Sequence, residues 1–265
     1  MSLIHAPTDT GMHMRDLLSD DEFRRREPVL RGENRESVAL RRLSRLFAEK
    51  PEAVLQELVD IAVTLCGADS AGISLEEPEQ GTFRWISVSG SFRQYLGGRT
   101  LRNHSPCGTC LDTGRPQLYK VTQPFYDQLG VTADAIMDGI LIPWTNEFME
   151  GTLWAVSHKS EAAFSFEDYE LLSSLGDFAA IILRHQYQAE LLREADRAVA
   201  VAETAHKIAH RINNPLQSLT NTIYLARHSK VDVVEQLVQA EKDVTALSDE
   251  VAKLLKTARQ FKPRV

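Results

Sequence analysis

The residues predict an α+β domain, an antiparallel sheet flanked by helices, followed by an all-α helical hairpin that forms a dimeric four-helix bundle. Three observations carry this. Five short alternating or β-branched segments lie between residues 70 and 159, helical periodicity brackets them, and an apolar repeat of helical spacing continues past residue 187. The corresponding division is an arm at residues 1–36, a mixed domain at 37–187, and a long helix with its hairpin at 188–265.

The 265 residues leave room for one or two domains and a sizeable core. A formal net charge of −7 argues against nucleic-acid binding, because neutralising a phosphate backbone takes a concentrated basic surface, and none is evident. No apolar run approaches the roughly 18 to 20 residues needed to span a bilayer. The start MSLIHAPTDT lacks the charged and apolar regions of a secretory signal, so a cytoplasmic location without membrane contact is expected. Three cysteines, two of them close together, do not make a disulfide framework. Residues 1–36 are rich in charge and poor in periodicity, as in SDDEFRRREPVLRGENRE, and read as a mobile arm or a fraying helix.

From Ser37 the texture changes. ESVALRRLSRLFAEKPEAVLQELVDIAVTLCG carries apolar residues at helical spacing, with a break near Pro51 and a stop at Gly67. SAGISLEE, FRWISVSG, RPQLYKV, GILIPWT and GTLWAVSHK then read as strands separated by turn residues. SFEDYELLSSLGDFAAIILRHQ opens a helix, with Ser165 as N-cap, acidic residues in its first turn, and Leu171, Leu175, Phe178 and Ile182 on one face.

That order, together with NHSPCGTCLDTGRPQLY before the central strands and FSFEDYELL opening the last helix, resembles a GAF domain over roughly residues 37–187. The resemblance implies the small-molecule sensing fold of signalling proteins, with a ligand held between the sheet and its covering loops. Trp85, Tyr119, Trp144 and Trp154 are the candidate pocket aromatics, and plain packing in the core or at its rim is the simpler use of each. Cyclic-nucleotide-binding members of the family carry an Asn-Lys, Phe, Asp-Glu signature. Here His158, Lys159, Phe164, Asp168 and Tyr169 stand in those places, so the first and last positions depart from it. A cyclic nucleotide is not expected, and the ligand stays unknown.

Cys107 and Cys110 lie in SPCGTC and join the candidate ligand-site residues. Ser105 can cap a short helix whose first position suits Pro106, which would set both thiols near a positive dipole end. Such placement lowers a thiol pKa and favours a redox couple or a pair of metal ligands. Two ligands do not make a zinc site, so no metal is expected. No βαβ pattern surrounds the motif as a thioredoxin-type reading would require. The simpler use of both is as buried small hydrophobes, and the same argument weighs against a bilin adduct or a haem ligand from Cys107 or His104.

The helical repeat does not stop at the end of that domain. Leu171, Leu175, Phe178, Ile182, His185, Ala189 and Leu192 step by four and three, and the seam resumes as Ala, Ile or Leu at 195, 198, 202, 205, 209, 212, 216, 219, 223 and 226. Successive steps of three between 189 and 198 form a stammer, which overwinds a coiled coil and is a place for a two-state packing change. About 60 residues of helix reach about 90 Å, more than one domain can bury. RHSKVD breaks the pattern, and Leu237, Ala240, Val244, Leu247, Val251, Leu254, Ala258 and Phe261 form a second seam. Two amphipathic helices joined by a short loop make an antiparallel hairpin, and pairing two hairpins buries what one leaves wet, so a homodimer is expected.

The stretch AHKIAHRINNPLQSLTN carries one polar stripe. With His210 at zero and about 100° per residue, His206 lies at about −40°, Asn214 at about +40°, Gln217 at about −20° and Asn221 at about +20°. The seam lies elsewhere, which leaves His210 on the flank of the bundle. Pro215 cannot donate to the carbonyl of Arg211 and should bend or loosen the helix there. An exposed imidazole beside an amide suits reversible phosphoryl transfer, with His210 as nucleophile and Asn214 bonding an attacking water or a phosphoryl oxygen. An incidental polar face is the alternative.

AHRINNPLQSL resembles the H-box of histidine kinases, of the His-Glu-Ile-Asn-Asn-Pro-Leu type, in the dimerisation and histidine-phosphotransfer domain, over about residues 195–262. The resemblance implies that His210 is the phospho-acceptor, that Asn214 matches the position associated with phosphatase activity on a response regulator, and that the bundle is the dimer core. Arg211 replaces the family's acidic residue, and a guanidinium cannot act as a base although it can pair with phosphate. An ATP-binding domain with a glycine-rich lid is absent from the 265 residues, so there is no ATP site and autonomous kinase activity is not expected.

The expected function is a two-component sensor in which the GAF domain biases a phosphotransfer-type bundle. The bundle would exchange phosphate with a response regulator or a separate kinase, dephosphorylate the regulator, or dock it. A ligand-binding scaffold with a relic H-box, a fragment of a longer kinase, and a GAF-based thiol reductase are the alternatives.

Overall fold

Period-two alternation and helical periodicity sort the chain into the elements of two units, Met1–Gln188 and Ala189–Val265. The computed structural model describes residues 10–28, 34–129, 132–228 and 233–260. In order these are β1 (Met12–Asp16), α1 (Asp21–Arg24), α2 (Arg35–Glu49), α3 (Val54–Cys66), β2 (Ser70–Glu77), β3 (Thr82–Gly90) and β4 (Arg99–Leu101). There follow α4 (Pro106–Thr113), β5 (Gln117–Val121), α5 (Gln123–Leu129), β6 (Ile136–Thr145), β7 (Glu150–Ser157), α6 (Phe166–His228) and α7 (Val233–Gln260). The five expected strands correspond to β2, β3, β5, β6 and β7. The expected break at Pro51 is a short 3₁₀ turn, and α3 ends at Gly67, whose left-handed φ of 60° suits a residue without a Cβ.

The sheet order is β1-β5-β6-β7-β2-β3-β4, every neighbour antiparallel. Alternation along the strands divides their side chains between two faces. Ile73, Ile140, Ile142, Trp144 and Leu153 pack with Leu43 of α2, Leu58 of α3 and Leu172 and Leu175 of α6. Phe83, Val88, Tyr119, Leu141 and Trp154 gather instead with Cys107 and Cys110 of α4 and Tyr126 of α5. Burying one such large apolar side chain contributes roughly 1.5 to 3 kcal/mol, which is why the sheet is covered on both faces.

The N-terminal segment corrects the sequence reading. Residues 1–9 and 29–33 lie outside the described residues, but β1 pairs with β5 as an edge strand, and Leu17 and Phe23 are fully buried. Arg26 closes the segment onto the domain: its guanidinium donates to Asp138 at 2.7 Å and to the Phe164 carbonyl at 3.1 Å. The mixed domain therefore begins well before Ser37. Charge density misled because Arg26 and Asp138 offset each other across the fold. β4 and α5, also unforeseen, are three and seven residues long, too short to show a period.

In the second unit, α6 continues unbroken through Pro215. The expected loosening is not seen; the missing N–H removes one bond from a ladder that its neighbours maintain. Along α6, Ile212, Leu219 and Ala226 are half-buried, while Ala205, Ala209, Leu216 and Ile223 are exposed. Along α7, Ala240 and Leu247 are half-buried and Leu237, Val244 and Val251 exposed. Each expected seam is thus divided. One row is partly covered within the chain, and the other, at 209, 216, 223 and 237, 244, 251, repeats every seven residues on the surface. Of the expected break RHSKVD, Arg227 and His228 end α6, while 229–232 and seam residue Phe261 lie outside the described residues, as do the side chains of Leu254 and Ala258.

Candidate functional site

The second sheet face and the segments over it border a partly open cavity of about 570 Å³. Of the residues singled out in the sequence, Trp85, Cys107, Tyr119 and Trp154 line it. Trp144 does not. In the β6–β7 register Leu141 opposes Trp154 whereas Trp144 opposes Gly151, so Trp144, three residues from Leu141, faces the helices. Cys110 and His104 are also absent from the lining. Phe92, Tyr95, Phe125 and Tyr126 do line it and were missed. FRWISVSGSFRQY does hold four aromatics, Phe83, Trp85, Phe92 and Tyr95, which no single helical or strand period groups.

Two glycines make room for the aromatic floor. A Cβ at Gly72 would lie 2.2 Å from the Trp154 ring, and one at Gly139 would lie 2.4 Å from that of Tyr119. Trp154 is oriented by a polar chain: its Nε1–H donates to Ser74 Oγ at 3.1 Å, Cys107 Sγ lies 3.7 Å from the same hydroxyl, and Thr152 Oγ1 donates to that sulfur at 3.2 Å.

Ser105 caps α4 as expected, accepting from the Gly108 N–H at 3.1 Å, with Pro106 in the first turn. The thiol chemistry nevertheless differs from the dipole argument. Cys107 and Cys110 are 8% and 0% exposed, and burial pushes both thiols up rather than down. A neutral thiol is a poor nucleophile and a poor metal ligand, and no group of metal-ligating side chains occurs among the described residues. Burial likewise raises the Tyr126 hydroxyl, to about 12, with Asp134 and Tyr95 adding to it.

The positions compared with the cyclic-nucleotide signature serve the fold. Lys159 Nζ pairs with Asp69 at 2.6 Å, and the His158 N–H donates to the same carboxylate at 2.9 Å. Burial pushes Asp69 up, but the bonds from Lys159, His158 and Ser157 outweigh it and leave the carboxyl below its ordinary range. Asp168 accepts from Arg35 at 2.7 Å and from Ser165 at the start of α6, and Phe164 is core. None of these residues lines the cavity.

In the second unit His210, Arg211 and Asn214 are exposed on α6. The Asn214 amide nitrogen lies 3.4 Å from His210 Nδ1, so the two residues meet one turn apart as the spacing predicts. Arg211 instead pairs with Glu250 of α7 at 3.1 Å, and Lys253 lies 3.7 Å from the same carboxylate. Glu250 went unnoticed because no local pattern relates residues so far apart.

Among the described residues no helix is long and apolar enough to cross a membrane. No curated protein matches the chain. Three GAF-domain structures are similar to it. That from a Coxiella burnetii phosphoenolpyruvate-protein phosphotransferase is 16% identical over 60% of this chain and 99% of its own, with a TM-score of 0.50. The Acinetobacter phosphoenolpyruvate-protein phosphotransferase domain is 13% identical over 59% and 97%, TM-score 0.46. The GAF-B domain of DevS from Mycobacterium smegmatis is 18% identical over 54% and 99%, TM-score 0.43. The model of the GAF domain family matches residues 50–183, and with the antiparallel sheet and its helices in agreement, the chain belongs to the GAF family of signalling sensor domains.

Proposed function

We propose that this protein is a cytoplasmic two-component sensor: the GAF unit binds a small molecule and regulates a homodimeric, histidine-phosphotransfer-type bundle that exchanges phosphate with, dephosphorylates or docks a response regulator. The supporting observation is the exposed His210 with Asn214 at 3.4 Å, on a hairpin whose outer apolar rows recur every seven residues. A second hairpin covering those rows completes a four-helix core and keeps the His210 stripe on its flank.

The chemistry follows from the pair. With the Asn214 amide turned so that its oxygen accepts from Nδ1–H, Nε2 of His210 keeps its lone pair. Nε2 attacks the donor's phosphorus, a P–N bond forms, and the donor's P–O bond breaks with its electrons leaving on oxygen. In the hydrolytic direction Asn214 holds the water. Arg211 supplies no base; its pairing with Glu250 fixes one helix against the other, and release of that pair frees a cation for phosphate.

The test is transfer of ³²P between the protein and phosphorylated response regulators or a separate kinase. His210→Ala is expected to abolish labelling, and Asn214→Ala to slow regulator dephosphorylation at least tenfold. Unchanged phosphate flow in both variants favours a second reading, an oligomeric scaffold with a relic H-box, which the Arg211 replacement independently motivates.

A further inference from the structure

The walls of the 570 Å³ cavity specify what enters it. Trp85, Phe92 and Trp154 form one aromatic block, with ring centroids 5.2 to 6.2 Å apart. Tyr119, Phe125 and Tyr126 add further rings. Such walls favour a flat ligand whose faces stack on them.

Formal charge is scarce. Arg99 is the one charged residue among the described lining, and Glu77 already holds its guanidinium, through Nε at 2.7 Å and Nη2 at 3.4 Å. An anionic ligand would meet a guanidinium whose charge Glu77 already offsets, and elsewhere in the cavity would sit without a counter-charge against apolar walls, which is costly.

Two donors of the wall lack acceptors. Trp85 Nε1–H and the Tyr126 hydroxyl are sealed from water and have no hydrogen-bond partner among the described residues. Trp154, bonded to Ser74, provides the contrast. An unmet buried donor destabilises the fold until an acceptor reaches it, and here a small turn of either ring toward the cavity brings its donor to a bound ligand.

We infer that the cavity takes an uncharged, planar aromatic ligand bearing hydrogen-bond acceptors, such as ring carbonyls, stacked on these rings and bonded by Trp85 and Tyr126. This rests on the sensor reading of the GAF unit. It adds to that reading the chemical class of the signal.

Tryptophan fluorescence of the full chain tests it, since two of the three tryptophans line the cavity. Flavone, flat and neutral with a carbonyl acceptor, is titrated beside anthracene, flat without acceptors, and beside the anions cyclic AMP and biliverdin. Saturable quenching by flavone is expected, with anthracene at least tenfold weaker and the anions weaker still. Tyr126→Phe, which keeps the ring, is expected to weaken flavone about five- to tenfold without affecting anthracene. Trp85→Phe provides a second variant, its fold checked by circular dichroism. Tighter binding of an anion, or equal flavone affinity in Tyr126→Phe and wild type, overturns the ligand class and leaves the sensor reading standing. Absence of saturable binding by all four probes also overturns the ligand class, whereas the sensor reading falls only with unchanged phosphate flow in His210→Ala and Asn214→Ala.

Discussion

The two units treat their apolar residues in opposite ways. In the GAF unit, strands and helices seal Phe83, Leu153 and Leu172 completely. In the helical unit Thr222 is the one buried residue among those described, and Val201, Leu237 and Val234 are more than 60% exposed. A sheet covered on both faces satisfies its own hydrophobic demand. Two helices cannot, because each buries only the stripe facing the other, and the remaining stripe needs a further surface. The GAF core is complete within one chain, whereas the described hairpin keeps apolar residues on its surface, as the proposed bundle requires.

The largest effect that would break this comparison is on assembly. Ile223→Glu with Val244→Glu places charge on the open rows, and a change from dimer to monomer in sedimentation velocity at micromolar concentration is expected. Wild-type protein that is already monomeric there removes the proposed dimeric bundle. Next come the ion pairs. Arg26→Ala strands a buried Asp138 and is expected to cost about 3 to 5 kcal/mol in denaturant unfolding of the GAF unit. Arg211→Ala removes a side chain that is 68% exposed and leaves Lys253 beside Glu250, so it should change stability by less than about 1 kcal/mol. Truncation sharpens the contrast further. Leu172→Ala is expected to cost about 2 to 5 kcal/mol, while Leu237→Ala, with its side chain 62% exposed, should leave hairpin melting almost unchanged in monomeric protein and lower it only where the dimer forms.

The smallest effect concerns pH. The native Cys110 thiol is raised by burial, so the unfolded chain loses its proton first, near pH 8.5. Stability should therefore be unaffected by this group below about pH 8.5 and fall above it, by at most about 1.4 kcal/mol per pH unit. Cys110→Ala is expected to flatten that alkaline slope in thermal melts, and both native thiols should resist iodoacetamide at pH 8.

Much of this architecture was readable from local pattern. The five longer strands, the break at Pro51, the Ser105 cap and the meeting of His210 with Asn214 each depend on residues within a turn or a strand of one another. Periodicity and capping act at that range. Trp144 shows the limit: alternation told that it opposes Leu141 across the strand, but only pairing with β7 decided which face held the cavity. The thiols show it again. A cap and a dipole are local, whereas the desolvation that overrides them comes from the sheet beneath α4.

By itself, the sequence determined element types, the domain family and the polar stripe on α6, because these follow from spacing along the chain. The tertiary structure alone decided that residues 12–16 join the sheet and Leu17 and Phe23 its core, that Tyr126 and Phe92 join Trp85 and Trp154 around one cavity, and that Arg211 answers Glu250. Those outcomes depend on contacts between residues far apart in the chain, whose free energies arise only once burial has removed water from between them.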